Sequence, residues 1–308
     1  MKYAWIKAHR AMFPVNSMCD VMNVSTSGYY SRLGRKPSVR AQRNDQIKQA
    51  VQQLYDESHG IYGSYKIADL MQEREELESA CRKTVAAAMR DLGLKSKVCK
   101  TFKPTTTTVD PSKKPADNLL DRDFQAARPN EKWVTDITYL RTLEQGWVYV
   151  AAVLDLFSRK IVGWSISESL STDLVREALR NAIQARQPEA GLLHHSDRGC
   201  QYTSDAYQKT LRTLGIVCSM SRTGNCYDNA VMERFFWSLK QEWTRHEAFA
   251  DLSAARLSVF KYIETFYNPR RIHQSLGYKT PDQYEAEHEQ SNPTPADHAP
   301  AWQENQVA

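Results

Sequence analysis

Three carboxylates stand out by their settings: Asp136 in WVTDITYL, Asp197 in HSDRGCQYTS and Glu233 in NCYDNAVMERFFWSLKQE. The chain holds 36 acidic residues, so spacing alone carries little and local setting carries more. Asp136 falls in the middle of a β-branched and aromatic run, where it shares one strand face with Val134 and Thr138. A buried carboxylate there needs a partner, because an unpaired buried charge is strongly unfavourable or is neutralised. A bound metal cation is one such partner, and a neighbouring Arg or Lys is the alternative. Asp197 follows Leu192-Leu193 at the carboxyl end of a short apolar strand, where α/β sheets place ligands. Gly199 lets the chain turn just after it, and an Asp that merely makes a turn before a helix is the bland alternative. Glu233 lies in the first turns of a helix that Asp228 or Asn229 can cap, and the helix dipole there favours its ionised form. Lys240 sits two turns along, on the face shared by residues 233 and 237.

Carboxylates suit hard divalent ions such as Mg²⁺ or Mn²⁺, which take oxygen ligands and keep several waters. Two such ions, about 3.5–4 Å apart, activate an attacking oxygen and stabilise a leaving one during in-line displacement at phosphorus. Asp136, Asp197 and Glu233 are therefore expected to hold a pair of Mg²⁺ or Mn²⁺ ions and to cut and join phosphodiesters. Chemistry through a Tyr or Ser nucleophile is disfavoured, since no Arg/His constellation surrounds a candidate.

The elements that must position these residues follow from periodicity and turn residues. Lys132–Thr142 reads as a strand, Glu144-Gln145-Gly146 as a turn, and Trp147–Phe157 and Arg159–Ser167 as further strands. Thr172–Gln187 and Ser204–Leu214 have helical apolar spacing, with strands at Leu192–His195 and Ile216–Met220. A polar loop over Ser221–Asn229 leads into the helix of Glu233. This order implies a mixed five-stranded sheet flanked by helices. Asp155, in LDLFSR, is expected to be structural and to pair with Arg159.

The first 98 residues read as all-helical. Val15–Met22 and a short helix capped by Ser25 and ended by Gly34 have helix-turn-helix proportions, with a plain helical hairpin as the alternative. Val39–Leu54 is a polar helix with Ile47, Val51 and Leu54 at core spacing. Tyr65–Gln72 and a helix capped by Ser79 and stopped by Gly93 form a second candidate helix-turn-helix. Arg82 and Lys83 fall where a recognition helix meets a major groove. The Pro- and Thr-rich stretch 99–116 reads as a linker. The expected domains are thus a helix-turn-helix region over 1–98, a linker over 99–116, a catalytic core over 117–245, a C-terminal helical extension over 246–288 and a disordered tail over 289–308.

At 308 residues and 41% hydrophobic composition, the chain can bury more than one core. No apolar run approaches the roughly 20 residues needed to span a bilayer. The six cysteines include no C-x-x-C pair and read as free thiols. The net charge of +5 is uneven: residues 1–116 carry 20 basic against 11 acidic side chains, whereas 282–308 carry six acidic and none basic. A basic N-terminal third suggests a polyanion partner, and a soluble cytoplasmic protein with no membrane partner is expected.

The motifs IYGSYKIADLM, RDLGLKSK, WVTDITYL, LDLFSRKIVGW, HSDRGCQYTS, SMSRTGNCYDNAVMERFFWSLKQE and YNPRRIHQSLGYKTPDQY run in order along the chain. At these residues it resembles the second-reading-frame catalytic subunit of bacterial insertion-sequence transposases, in the superfamily of retroviral integrase. The resemblance implies an RNase H-like, integrase-type catalytic core behind the helix-turn-helix region. It implies Asp136, Asp197 and Glu233 as catalytic metal ligands and Lys240 as a contact to the element's end. It further implies strand cleavage that frees a 3′-OH, followed by attack of that hydroxyl on target DNA. Arg222 and Asn225, and Arg270, Arg271 and His273, match motifs near DNA; with Lys66, Arg82 and Lys83 they complete the expected DNA contacts. The implied partners are terminal inverted repeats and target DNA, at least a second copy of this chain on DNA, and the upstream-frame protein or a fusion with it. The implied setting is the bacterial cytoplasm, at the nucleoid. A non-catalytic DNA-binding regulator of the element is the alternative function.

Overall fold

The computed structural model describes residues 2–34, 38–72, 80–97, 115–222 and 226–292. The linker residues 99–114, the Ser79 cap, Asn225 and residues 293–308 lie outside them. The chain groups into two compact units, one of Met1–Glu57 with Ile67–Lys95, the other of Ser58–Lys66 with Ser96–Ala308.

The first unit is helical. Helices α1 (Lys2–His9), α2 (Val15–Val21) and α3 (Thr26–Gly34) close over Ile6, Met18, Cys19 and Tyr29. The α3 start is capped as expected, with Ser25 Oγ accepting the Gly28 N–H at 3.0 Å. Helix α4 (Val39–Glu57) buries Ile47, Val51 and Leu54 and packs on α6 (Arg82–Asp91). Between them runs α5 (Ser64–Gln72). α6 begins after Cys81, later than a Ser79 cap implies, and stops where Gly93 takes φ +70°.

The second unit is built on a five-stranded sheet. Its strands are β1 (Lys132–Arg141), β2 (Trp147–Asp155), β3 (Ile161–Ser167), β4 (Leu193–Ser196) and β5 (Val217–Met220). Their order is β3-β2-β1-β4-β5, antiparallel through the first three and parallel from β1 to β5, so the sheet is mixed as expected. Helices α7 (Thr172–Arg186), the short α8 (Cys200–Thr203) and α9 (Asp205–Thr213) supply one core. Trp133, Ala151 and Val153 of the sheet meet Val175, Ala178, Leu179, Tyr207 and Leu211 there. A Cβ on Gly163 would overlap the backbone of Ala178 and Ala182, so this glycine lets α7 lie flat on β3.

Helix α10 (Ala230–Ser238) runs without a break into a π-helical turn, Leu239–Trp243. Helix α11 (Leu252–Phe260) likewise widens into π geometry over Lys261–Tyr267. The last helix, α12 (Pro281–Ser291), starts at a capping box in which Thr280 and Gln283 satisfy each other's backbone N–H. Asp155 is fully buried but pairs differently from expectation. Its carboxylate accepts the N–H groups of Asn130 and Phe157 and lies 3.7 Å from Arg186, whereas the Arg159 guanidinium donates to the Phe124 carbonyl. Arg186 reaches it from the last turn of α7 and also holds Glu285 of α12 in a two-pronged pair.

Candidate active site

β1 lays Asp136 opposite Ala152 of β2. By the strand alternation it shares a face with Val134 and Thr138, away from the α7 core that Trp133 enters. β1 and β4 are parallel neighbours with Val134 beside His195, and Asp136 and Asp197 each lie two residues further along their chains. Helix α10 packs on β1 and brings Glu233 in its first turn. The Asn229 amide, at the start of that helix, donates to the Thr135 carbonyl at 3.1 Å, next to Asp136 in sequence. The three acids thus stand at a strand middle, just past a strand end and in a first helical turn.

The three acids share one electrostatic field. Burial raises the Asp136 carboxyl well above the usual range, and the charges of Asp197 and Glu233 push it the same way. The Ile137 N–H, at 2.8 Å, and the Lys240 charge oppose that rise. Asp197 folds its own turn by accepting the Gly199 N–H at 2.9 Å. Glu233 is exposed, while Asp136 and Asp197 are half-buried. Lys240 is half-buried with its ammonium 4.2 Å from the Tyr139 ring centroid; burial lowers its pKa and Asp136 opposes the shift.

Two buried residues brace the loop between β5 and α10. Burial would raise the Asp228 carboxyl, but the N–H of Arg222 and the side chain of Arg122 outweigh it and hold the group below its ordinary value. Asn118 also donates to it, at 3.0 Å. Burial pushes His195 down to about 4, and its two ring nitrogens meet Ser219 and Ser221 at 2.8 and 3.0 Å. A neutral imidazole therefore ties β4, one residue short of Ser196, to β5 and to the loop beyond it.

The donor set suits a hard divalent cation. Its atoms are oxygens, negative charge is in excess around Asp136, and the buried Asn229 Oδ1 has no hydrogen-bond partner. Among the described residues, no three His, Cys, Asp or Glu side chains are already drawn together tightly enough to enclose an ion.

The remaining candidates fall into three groups. Arg82 and Lys83 are exposed at the start of α6, and Arg270 is exposed too. Arg222 is also exposed, with its guanidinium on Asp121. Lys66, Arg271 and His273 come together inside the second unit. Arg271 is buried on Glu242, Lys66 donates to the Ile272 carbonyl at 2.9 Å, and His273 packs edge-on against Tyr267. Burial, then Arg271, holds the His273 imidazole well below its ordinary pKa. Arg271 thus has a protein counter-ion in Glu242, whereas Lys66 is turned to a backbone carbonyl. Asp228 and Asn229, expected as caps of the Glu233 helix, make no such cap: Asn229 donates to the Thr135 carbonyl and Asp228 accepts the Arg222 N–H instead, while Tyr139 and Glu242 carried no sequence expectation. An amide or acid between two runs of large apolar residues, as in CYDNAVM and SLKQEW, was the available signal.

An integrase-type core preceded by a helix-turn-helix-like region is the class this fold and site define. Family models described as "Integrase core domain" match residues 126–226 and 214–281, and one described as "HTH-like domain" matches 42–102. Transposase InsF for insertion sequence IS3A, from Escherichia coli K12, is 39% identical over 287 residues, covering 92% of this chain and 98% of that protein. The insertion element IS600 uncharacterized 31 kDa protein of Shigella sonnei is 35% identical over 273 residues, covering 89% and 99%. The chain belongs to this family of insertion-sequence transposases. Among solved structures, the HTLV-2 integrase catalytic core domain in complex with magnesium aligns with 52% of this chain and 99% of its own, at 17% identity and TM-score 0.41. The simian T-cell lymphotropic virus intasome aligns with 76% and 74%, at 15% identity and TM-score 0.44. Among the described residues, no helix is long and apolar enough to cross a membrane.

Proposed function

We propose that the second unit cleaves DNA at the ends of an insertion sequence and joins the freed 3′-OH to target DNA. The observation that carries this reading is the placement of Asp136 in β1, Asp197 just past the neighbouring β4 and Glu233 in the first turn of α10, which packs on β1. Asp136, Asp197 and Glu233 would hold two divalent ions, Mg²⁺ or Mn²⁺. When bound, these supply positive charge to the attacking and leaving oxygens of an in-line displacement. Lys240, braced over Tyr139, offers its ammonium to a phosphate of the element's end. In the first step water breaks one phosphodiester and leaves a 3′-OH. In the second that hydroxyl oxygen bonds to a target phosphorus, whose former 3′-oxygen leaves with the proton balance restored from solvent.

Residues 1–98 deliver DNA, with Arg82 and Lys83 at the groove. Phosphate contacts dominate affinity, so binding weakens steeply with salt. Two ends and a target call for at least two copies on DNA in the bacterial cytoplasm, with the upstream-frame protein as a further partner. The test is a strand-transfer assay on end-containing DNA with Asp136→Asn, Asp197→Asn and Glu233→Gln. Each variant is expected to lose joining by about 10³-fold or more while still binding end DNA. Joining retained with Mg²⁺ in any one of them overturns the three-acid assignment.

A further inference from the structure

Lys240 and Glu233 sit on one continuous helical run, but the geometry changes between them. α10 is α-helical to Ser238 and π-helical from Leu239 to Trp243. A π turn holds more residues than an α turn, so its position decides how far Lys240 is rotated about the axis relative to Glu233. Something must fix that junction, because an isolated π turn is unfavourable compared with continued α-helix.

Arg271 spans it. Its Nη2 donates to Ser238 Oγ at 3.2 Å, on the last α-helical residue, and to Glu242 Oε1 at 2.5 Å, inside the π turn. Its Nε donates to Glu242 Oε2 at 2.6 Å, and Tyr262 OH donates to the same oxygen at 2.9 Å. Glu242 is 3% exposed and Arg271 7%, so the pair is shielded from competing water. The backbone on both sides of Arg271 is clasped in turn. Tyr62 OH donates to the Arg270 carbonyl at 2.9 Å and accepts the Ile272 N–H at 3.1 Å, and Lys66 holds the Ile272 carbonyl.

Resting on the three-carboxylate reading above, we propose that Arg271 is a positioning residue: by bridging Ser238 and Glu242 across the α-to-π junction, it sets where Lys240 stands relative to Asp136 and Glu233. Tyr62 and Lys66 hold the bridge in place. Lysine cannot replace arginine here, since a point ammonium lacks the planar fork that meets two acceptors on different turns.

The test is a double-mutant cycle between Arg271→Lys and Lys240→Met, with Ser238→Ala as a milder variant that removes one arm of the bridge. Three quantities are read: thermal midpoint, end-DNA Kd in EDTA, and single-turnover joining. Arg271→Lys is expected to slow joining by about 10- to 100-fold, as misplacement of a site group does. Ser238→Ala should slow it less, with its melting point little changed. In the Lys240→Met background, both bridge variants should have almost no further effect on joining or on Kd, because they act through Lys240. Effects that multiply across the cycle, or that track the melting point alone, overturn the proposal. If Arg271→Lys does not fold, the Ser238→Ala cycle decides by the same criterion. Asp136→Asn run in parallel separates the two levels. If it joins normally, the three-carboxylate reading fails; if it is dead while the cycles are additive, only the role of Arg271 fails.

Discussion

The second unit contains two kinds of acidic cluster, and they differ in what surrounds them. Glu242 and Glu285 are buried, and each ends on an arginine that meets it with two hydrogen bonds, Arg271 and Arg186. Asp136 has as its strongest charged neighbours two further acids, with Lys240 the opposing cation. The first arrangement is internally balanced: arginine holds Glu242 and Glu285 below the ordinary carboxylate range although burial pushes both up. The second is unbalanced, and the protein keeps it so despite the repulsion. Charge left uncompensated on a half-buried strand is a feature of binding and catalytic sites rather than of stability.

The sharpest way to break this contrast is to unbalance the balanced cluster. Arg271→Met leaves Glu242 buried without its guanidinium, and is expected to lower unfolding stability by about 3–5 kcal/mol. Denaturant titration checks it. Adding Glu242→Leu to that variant should recover much of the loss, because removing a whole buried pair is far milder than removing half. No recovery means that the pair is not an isolated energetic unit, and the division into balanced and unbalanced acids weakens.

The opposite experiment is to balance the unbalanced cluster. Asp136→Asn keeps an oxygen for the Ile137 N–H but removes one of three ionisable carboxyls. A carboxyl whose pKa is raised by folding costs stability progressively as pH rises from its unfolded value to the raised one, in full above that, and nothing where it is protonated in both states. The variant should therefore melt higher than the wild type in metal-free buffer at pH 8. The gain should shrink as pH falls toward the acid range. A variant that melts lower at pH 8 shows that Asp136 is structurally paired, like Glu242. On the proposed function the same substitution is expected to abolish joining, so stability and activity should move in opposite directions.

The three carboxylates were legible because each has a local signature: a charge inside a β-branched run, a charge after an apolar strand, a charge in the first turn of a helix. The sheet was legible for a similar reason, since Lys132–Arg141 and Trp147–Asp155 show β composition around a Gly146 turn. The buried ion pairs were not. Arg271 lies in a run of exposed-looking polar residues, NPRRIHQS, and burial there is imposed by Tyr62 and Glu242, distant in sequence, together with Tyr262 and Tyr267 of the preceding helix. Charge and motif alone made it look like a nucleic-acid contact. The π turns were invisible too, because apolar spacing at 235, 236 and 239 is compatible with plain α-helix. The start of α12 is legible in sequence, since Thr280-Pro281-Asp282-Gln283 carries both a capping box and a proline in its first turn.

Lys66 probes the boundary between the two kinds of cluster, because it is a cation beside the balanced one. Burial, then the Arg271 charge, depresses its amine to about 7, while Glu242 pulls the other way. In the unfolded chain the amine titrates near 10.4, as an ordinary lysine does, to about one unit. Between these two values the unfolded state binds the extra proton, so this group makes stability rise with pH from about 7 upward. Below about 7 the ammonium is charged in both states and its full burial penalty is present. Lys66→Met should flatten the rise in melting point between pH 7 and pH 9 relative to the wild type, and its gain in melting point should be smaller at pH 9 than at pH 7. An unchanged slope would mean that Lys66 keeps its proton, held by the Ile272 carbonyl and the Tyr62 ring it overlies at 4.8 Å. The Arg271–Glu242 pair would then carry a permanent extra positive charge, and the cluster would not be balanced after all.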